Sequence, residues 1–243
     1  MKAIILAAGT ASRLRPLTEK PPKCLLKIGE RTLLERSMDA LIAGGIGEFC
    51  IVTGYLHEQI ERFVGERYPQ VRVRFIHNAD YATTNNIYSL WLARPEAEGE
   101  DILLLDSDLL YDPRIIVRVA EHPSANILTL IRHELGDEEM KVMVDSEGNL
   151  LSVNKTNPPA ASVGESLGIE KMGREYTRAL YKELEPMMLR EGLENKYYEL
   201  AFERLIPQGH TYKVLDVSDL FSCELDTVED FENAKQLIPA ELY

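Results

Sequence analysis

A chain of 243 residues is long enough for one large domain with a buried core, and 45% hydrophobic against 28% charged residues is the balance of a folded protein, which excludes a disordered tail or a fibre. The net charge of −13, from 27 basic and 40 acidic side chains, argues against non-specific nucleic-acid binding, which needs basic surface. No apolar run reaches the roughly 18 residues of a membrane span, and Cys24, Cys50 and Cys223 have neither disulfide-framework nor zinc spacing; no membrane partner is expected, and a cytoplasmic location fits.

Taken in chain order, residues 2–8 form a continuous apolar run that ends at Gly9, the pattern of a strand buried on both faces. Residues 32–43 carry apolar side chains at helical spacing and stop at Gly44-Gly45. Strands are expected at 48–53, 71–76 and 101–105, with helices at 56–67 and 86–94, the last ended by Pro95. This alternation implies an α/β fold of Rossmann-like type: a mostly parallel sheet with helices on both faces. After about residue 124 the rhythm changes. Short strands are expected at 126–132, 141–145 and 150–154, with Glu147-Gly148-Asn149 as a hairpin turn. Helices at 174–190 and 196–205, strands at 211–217 and 221–224, and a helix at 228–237 complete the chain. No linker or repeat interrupts it. The expectation is one domain over 1–243, with a nucleotide-binding half at about 1–124 and an acceptor half with a small β-rich lid at about 125–243.

The charge is unevenly spread. Residues 1–36 hold Lys2, Arg13, Arg15, Lys20, Lys23, Lys27, Arg31 and Arg36 against Glu19, Glu30 and Glu35, a local +5 that leaves −18 for the rest. Such an island could focus a small polyanion such as a nucleoside triphosphate, or it could be a solvated basic face. It overlaps a small-residue loop, Leu6-Ala7-Ala8-Gly9-Thr10-Ala11-Ser12-Arg13, which leaves the first strand where open α/β sheets bind ligands. Small side chains there let backbone N–H groups approach phosphates. The loop is neither a Walker A motif nor a dinucleotide GxGxxG.

The joint pattern LAAG-x-x-x-R-L-x-P-L-T-x-x-x-P-K, with Gly9, Arg13, Pro16, Thr18, Pro22 and Lys23 on it, resembles the nucleotidyltransferase signature of the nucleoside-diphosphate-sugar pyrophosphorylases and their cytidylyltransferase relatives. The resemblance continues through Asp106-Ser107-Asp108 to Glu224-Leu225-Asp226. It implies that Arg13 holds the β- and γ-phosphates and that Lys23 bridges the α-phosphate and the acceptor phosphate. It also implies Mg²⁺ as cofactor, with Asp108 as a ligand, Asp106 as the alternative register, and Asp226 as the second arm beside a supporting Glu224. Hard oxygen ligands suit that ion. Asp106 could instead cap a helix starting near Pro113, and Asp226 or Thr227 could cap the last helix.

Thr84-Asn85-Asn86 stands where sugar nucleotidyltransferases usually carry a Gly-Thr-Ala type segment, and this departure resembles the phosphocholine and inositol-phosphate cytidylyltransferase branch. Amide side chains at Asn85 or Asn86 can read the N4 amine and O2 of cytosine, or the three residues can serve only as a helix N-cap. The implied partners are CTP and a small phosphate or phosphonate acceptor of the phosphocholine, phosphoethanolamine or 2-aminoethylphosphonate type, with a homodimer as the candidate assembly. Lys155 is the expected acceptor-phosphate lysine and Lys141 its rival; Tyr198 and Glu170 are further acceptor candidates. The five histidines lack ligand spacing and receive no catalytic role. A sugar- or inositol-1-phosphate nucleotidylyltransferase and a catalytically silent nucleotide-sensing subunit are the competing readings.

Overall fold

Burial alternates along the first strand and sets the architecture. In the computed structural model, which describes residues 1–243, β1 (Lys2–Ala7) sends Ile4 and Leu6 into one apolar layer and Ala3, Ile5 and Ala7 into another. A strand covered on both faces must be apolar at every position. β2 (Glu48–Thr53) and β4 (Ile102–Asp106) flank it in parallel, with Ile51 and Leu105 beside Ile5, and β3 (Arg72–His77) adds the edge. Helices α1 (Leu33–Ala43), α2 (His57–Arg67) and α3 (Asn86–Leu92) lie between these strands in sequence. Thr32 caps α1 by accepting from the Glu35 N–H, and the turn at Gly44-Gly45 ends it. The α/β class and the mostly parallel centre of the sheet are as the sequence implies.

One element the sequence reading lacks is β9 (Gly164–Met172), a central strand that pairs antiparallel with β4 on one side. Its pattern hides it. Between Ser166 and Glu170 the register against its other neighbour, β6 (Ile127–Ile131), shifts, and Gly168 takes φ +79° inside that irregularity. A bulge of this kind destroys the period-2 signal. The lid hairpin of β7 (Lys141–Val144) and β8 (Leu150–Asn154) continues the sheet from β9, while β10 (Lys213–Asp216) joins β6 in parallel. The order is β8-β7-β9-β4-β1-β2-β3, with β6 and β10 branching at β9. Also absent from the sequence reading are β5 (Leu109–Tyr111), which forms a separate antiparallel ladder with β11 (Ser222–Glu224), and α4 (Arg114–Glu121), noted there only as a helix start near Pro113.

Helices α5 (Arg174–Leu189) and α6 (Glu199–Leu205) bring Tyr176, Leu180, Tyr198 and Phe202 to one large core cluster; α6 starts three residues later than expected. A smaller cluster joins Leu14, Leu26, Ile28 and Leu33 to Leu225, Phe231 and Ala234 of the C-terminal segment and α7 (Val228–Leu237). Each of the Leu, Ile and Phe side chains among them contributes roughly 1.5–3 kcal/mol on burial. That contact clamps the C-terminal segment against the basic loop at the chain's start. No helix is long and apolar enough to cross a membrane.

Candidate active site

The carboxyl ends of β1 and β4 open into a cleft of about 940 Å³. Leu6, Ala7, Ala8, Gly9, Ala11 and Arg13 line one end of it; Thr10 and Ser12 of the same loop do not. A Cβ at Gly9 would meet no protein atom within 4 Å, and Gly9 is not among the glycines with positive φ. The fold therefore does not demand glycine there. Ala11, by contrast, takes the left-handed conformation at φ 47°, which costs a non-glycine residue roughly 1–2 kcal/mol. Thr18 steadies the loop by donating to the Ala11 carbonyl.

Lys23 is brought to the cleft by a short 3-10 turn after Pro22. Its Nζ lies 2.9 Å from Asp108 Oδ2 and 2.7 Å from Asp226 Oδ1, and Arg13 pairs with the other oxygen of Asp226. The β5–β11 ladder sets Glu224 opposite Leu109 and so delivers Asp226 to Asp108. Thr227 and Asp230 form the capping box of α7, which leaves the Asp226 carboxylate free to face Lys23. Burial acts to raise Asp226, but Lys23 and then Arg13 outweigh it and hold the carboxyl below its ordinary range. Lys23 shows the converse: burial opposes its charge, and Asp108 and Asp226 drive its pKa up.

Asp108, Glu224 and Asp226 each offer a carboxylate oxygen within 4.8 Å of the others. Enclosure, then Asp108 and Asp226, raise Glu224. Asp108 Oδ1 is buried without a hydrogen-bond partner. Three hard oxygen donors with an unsatisfied buried lone pair fit a divalent cation such as Mg²⁺. Asp106, two residues earlier, faces the cleft floor and accepts the Tyr198 hydroxyl at 2.9 Å through Oδ2. It caps no helix; Asp112 accepts the Arg114 N–H at the start of α4.

Thr84, Asn85 and Asn86 also line the cleft, yet much of their hydrogen bonding is spent on the scaffold. Asn85 is the N-cap of α3, Asn86 accepts the Tyr198 N–H, and Thr84 bonds Asn78 and the Asp80 carbonyl. The Asn86 amide nitrogen keeps its donors. Of the eight cations in residues 1–36, only Arg13 and Lys23 reach the cleft. Lys2 pairs with Glu96 and Arg31 with Asp39 elsewhere, so the basic island of the sequence is not a basic surface around the site.

Lys155, Tyr197, Glu199 and Glu165 also line the cleft. Three expected acceptor residues lie behind the wall instead. Lys141 is 2% exposed and donates to the Gly136 and Glu139 carbonyls, so it ties down the lid loop. Tyr198 is fully buried among Phe202 and its neighbours, and Glu170 is fully buried on β9. The sequence reading passed over His133 and Glu165, which pair across the cleft wall at 2.7 Å; no spacing signal marks residues that meet only through β6 and β9.

A small-residue loop at a parallel sheet's carboxyl edge, with a lysine held between two aspartates beside it, is the arrangement of a nucleotidyltransferase. The chain belongs to the MobA-like NTP transferase domain family, whose profile matches residues 3–164. It is 29% identical over 244 residues to the CMP-5'-(3-aminopropyl)phosphonate synthase of Streptomyces rubellomurinus, covering 96% of this chain and 38% of that protein. With the choline-phosphate cytidylyltransferase of Streptococcus pneumoniae it shares 41% identity over 109 residues, 45% of this chain and 46% of that one. These two matches thus cover under half the length of each of the two relatives. The solved CTP:phosphocholine cytidylyltransferase of Streptococcus pneumoniae superposes with a TM-score of 0.80 at 22% identity, over 98% of this chain and 99% of that chain, a likeness of fold.

Proposed function

We propose that the protein transfers CMP from CTP to a small phosphate or phosphonate acceptor and releases pyrophosphate. The observation that carries this reading is the convergence of Lys23, Asp108 and Asp226 on one spot beside the Gly9 loop, with Lys23 and Asp226 lying 203 positions apart. An acceptor oxygen, already anionic at neutral pH, attacks the α-phosphorus; the bond from that phosphorus to the bridging oxygen breaks, and its electron pair leaves with pyrophosphate. No general base is needed, so the absence of a nucleophile–histidine pair is consistent with the chemistry.

Backbone N–H groups of Ala8, Gly9 and Ala11 cradle the phosphates, Arg13 neutralises the leaving end, and Lys23 holds the α-phosphate and the incoming oxygen together. Mg²⁺ held by Asp108, Asp226 and Glu224 would supply charge neutralisation on the phosphates. Asn86 reads the pyrimidine, which together with the two cytidylyltransferase-type relatives favours CTP over other nucleotides. Lys155 meets the acceptor's phosphate.

The test is pyrophosphate release with each of four nucleoside triphosphates, in wild type and in Lys23→Ala, with melting temperature measured alongside. CTP is expected to be preferred, and the variant to lose about 100-fold or more in turnover, on the order of 3 kcal/mol of transition-state stabilisation. A Lys23→Ala protein that turns over normally would remove the mechanism, and a UTP or dTTP preference would return the sugar-phosphate alternative.

A further inference from the structure

The cleft wall around Lys155 and Glu199 has a charge pattern that the transfer chemistry does not use. Lys155 stands between Glu199 and the exposed Glu138, whose Oε2 its Nζ meets at 3.3 Å, and a phosphate there needs no buried carboxylate. Yet Glu199, in the first turn of α6, lines the cleft at 7% exposure with Oε2 lacking any hydrogen-bond partner. A buried carboxylate oxygen left unpaired is costly unless a ligand completes it.

Aromatic residues are equally informative. A quaternary ammonium is held by several ring faces. Tyr197 and Tyr81 are the two tyrosines of the cleft lining, and the Lys155 Nζ already sits 5.0 Å from the Tyr197 centroid. Trp91 is covered by the Arg94 guanidinium at 5.0 Å and lies outside the cleft lining, while Tyr81 faces Tyr55 beside the Ala8 backbone. There is an anionic acceptor of hydrogen bonds and no box of rings. We propose that the acceptor is a zwitterion whose phosphate or phosphonate meets Lys155 and whose other end is a primary ammonium donating to Glu199.

This rests on the reading of the cleft as a cytidylyltransferase site. The ammonium supplies the N–H donors that the Glu199 oxygen lacks; a trimethylated head group has none and a neutral polyol brings no charge.

The experiment compares kcat/KM for phosphoethanolamine, 2-aminoethylphosphonate, phosphocholine and inositol 1-phosphate at fixed CTP and Mg²⁺, in the full chain and in Glu199→Gln. Primary amines are expected to exceed phosphocholine by about 100-fold, and Glu199→Gln to erase most of that gap by raising the amine KM while the KM for CTP stays put. Equal or better use of phosphocholine or the polyol would overturn the proposal, as would a Glu199→Gln enzyme that keeps the amine preference. The underlying reading fails differently: no acceptor would release pyrophosphate from CTP, and isothermal titration of phosphoethanolamine into the CTP-bound protein would show no binding.

Discussion

Two carboxylates illustrate how residue-level environment separates function from stability. Asp108 and Asp226 share Lys23 as a partner and lie in one cluster of oxygens. If they act as a unit, Asp108→Asn and Asp226→Asn should each abolish most turnover, and the double variant should be little worse than either single; losses that multiply would separate their roles. Glu199 makes a different prediction. Burial, opposed in part by Lys155, lifts its carboxyl from 4.5 to about 7, with Asp106 and Glu170 facing it from β4 and β9. A carboxyl whose pKa rises on folding binds its proton more tightly in the native state, so its contribution is fully present below about 4.5 and is lost as pH climbs through about 7. Without acceptor, Glu199→Gln should therefore be more stable than wild type at pH 8, by on the order of 1–3 kcal/mol, with the gap closing toward pH 4.5. Chemical denaturation at the two pH values reads this directly; a less stable variant at pH 8 would mean that Glu199 is held by favourable contacts.

At the scale of elements, β9 connects the site to the sheet. Its bulge at Gly168 brings backbone so close to Asp106 that a Cβ would lie 2.8 Å from Oδ2, and φ is +79°. Gly168→Ala is thus expected to cost about 1–3 kcal/mol, from backbone strain and from displacing a carboxylate that the Tyr198 hydroxyl positions. Urea unfolding tests this, and a neutral effect would mean that β9 and β4 separate more readily than their pairing suggests. The same bulge is why this strand could not be found by its pattern. The neighbouring strands 2–7 and 102–106 were legible because both faces are covered and every position is apolar.

For the whole molecule, residues before and after about 124 share one sheet and one core. Residues 164–172 pair with 102–106, and one core cluster takes Ile4 and Leu104 from the first half and Met172, Tyr176 and Phe202 from the second. Residues 1–124 alone would leave β4 with an open edge and that cluster half filled. The full chain is expected to unfold in one transition, with circular dichroism and Trp91 fluorescence coinciding, while the fragment 1–124 fails to show a cooperative transition; a fragment that melts cooperatively would establish two folding units.

What the sequence by itself determined is local. The apolar runs, the Gly44-Gly45 stop, the Gly9 loop and the Thr227 cap follow from period, backbone freedom and hydrogen-bonding side chains within a few residues of each other. Tertiary structure decided which chemistry-bearing groups meet. Tyr197 and Tyr198 are adjacent and alike in sequence, but packing against Phe202 buries one and leaves the other in the cleft. Lys155 and Lys141 are both lid lysines, and the carbonyls of residues 136 and 139 take one of them out of reach of a ligand. The Asp108–Asp226 meeting depends on the β5–β11 ladder and on the cluster that anchors α7, where long-range burial of several large side chains outweighs any preference written in either segment alone.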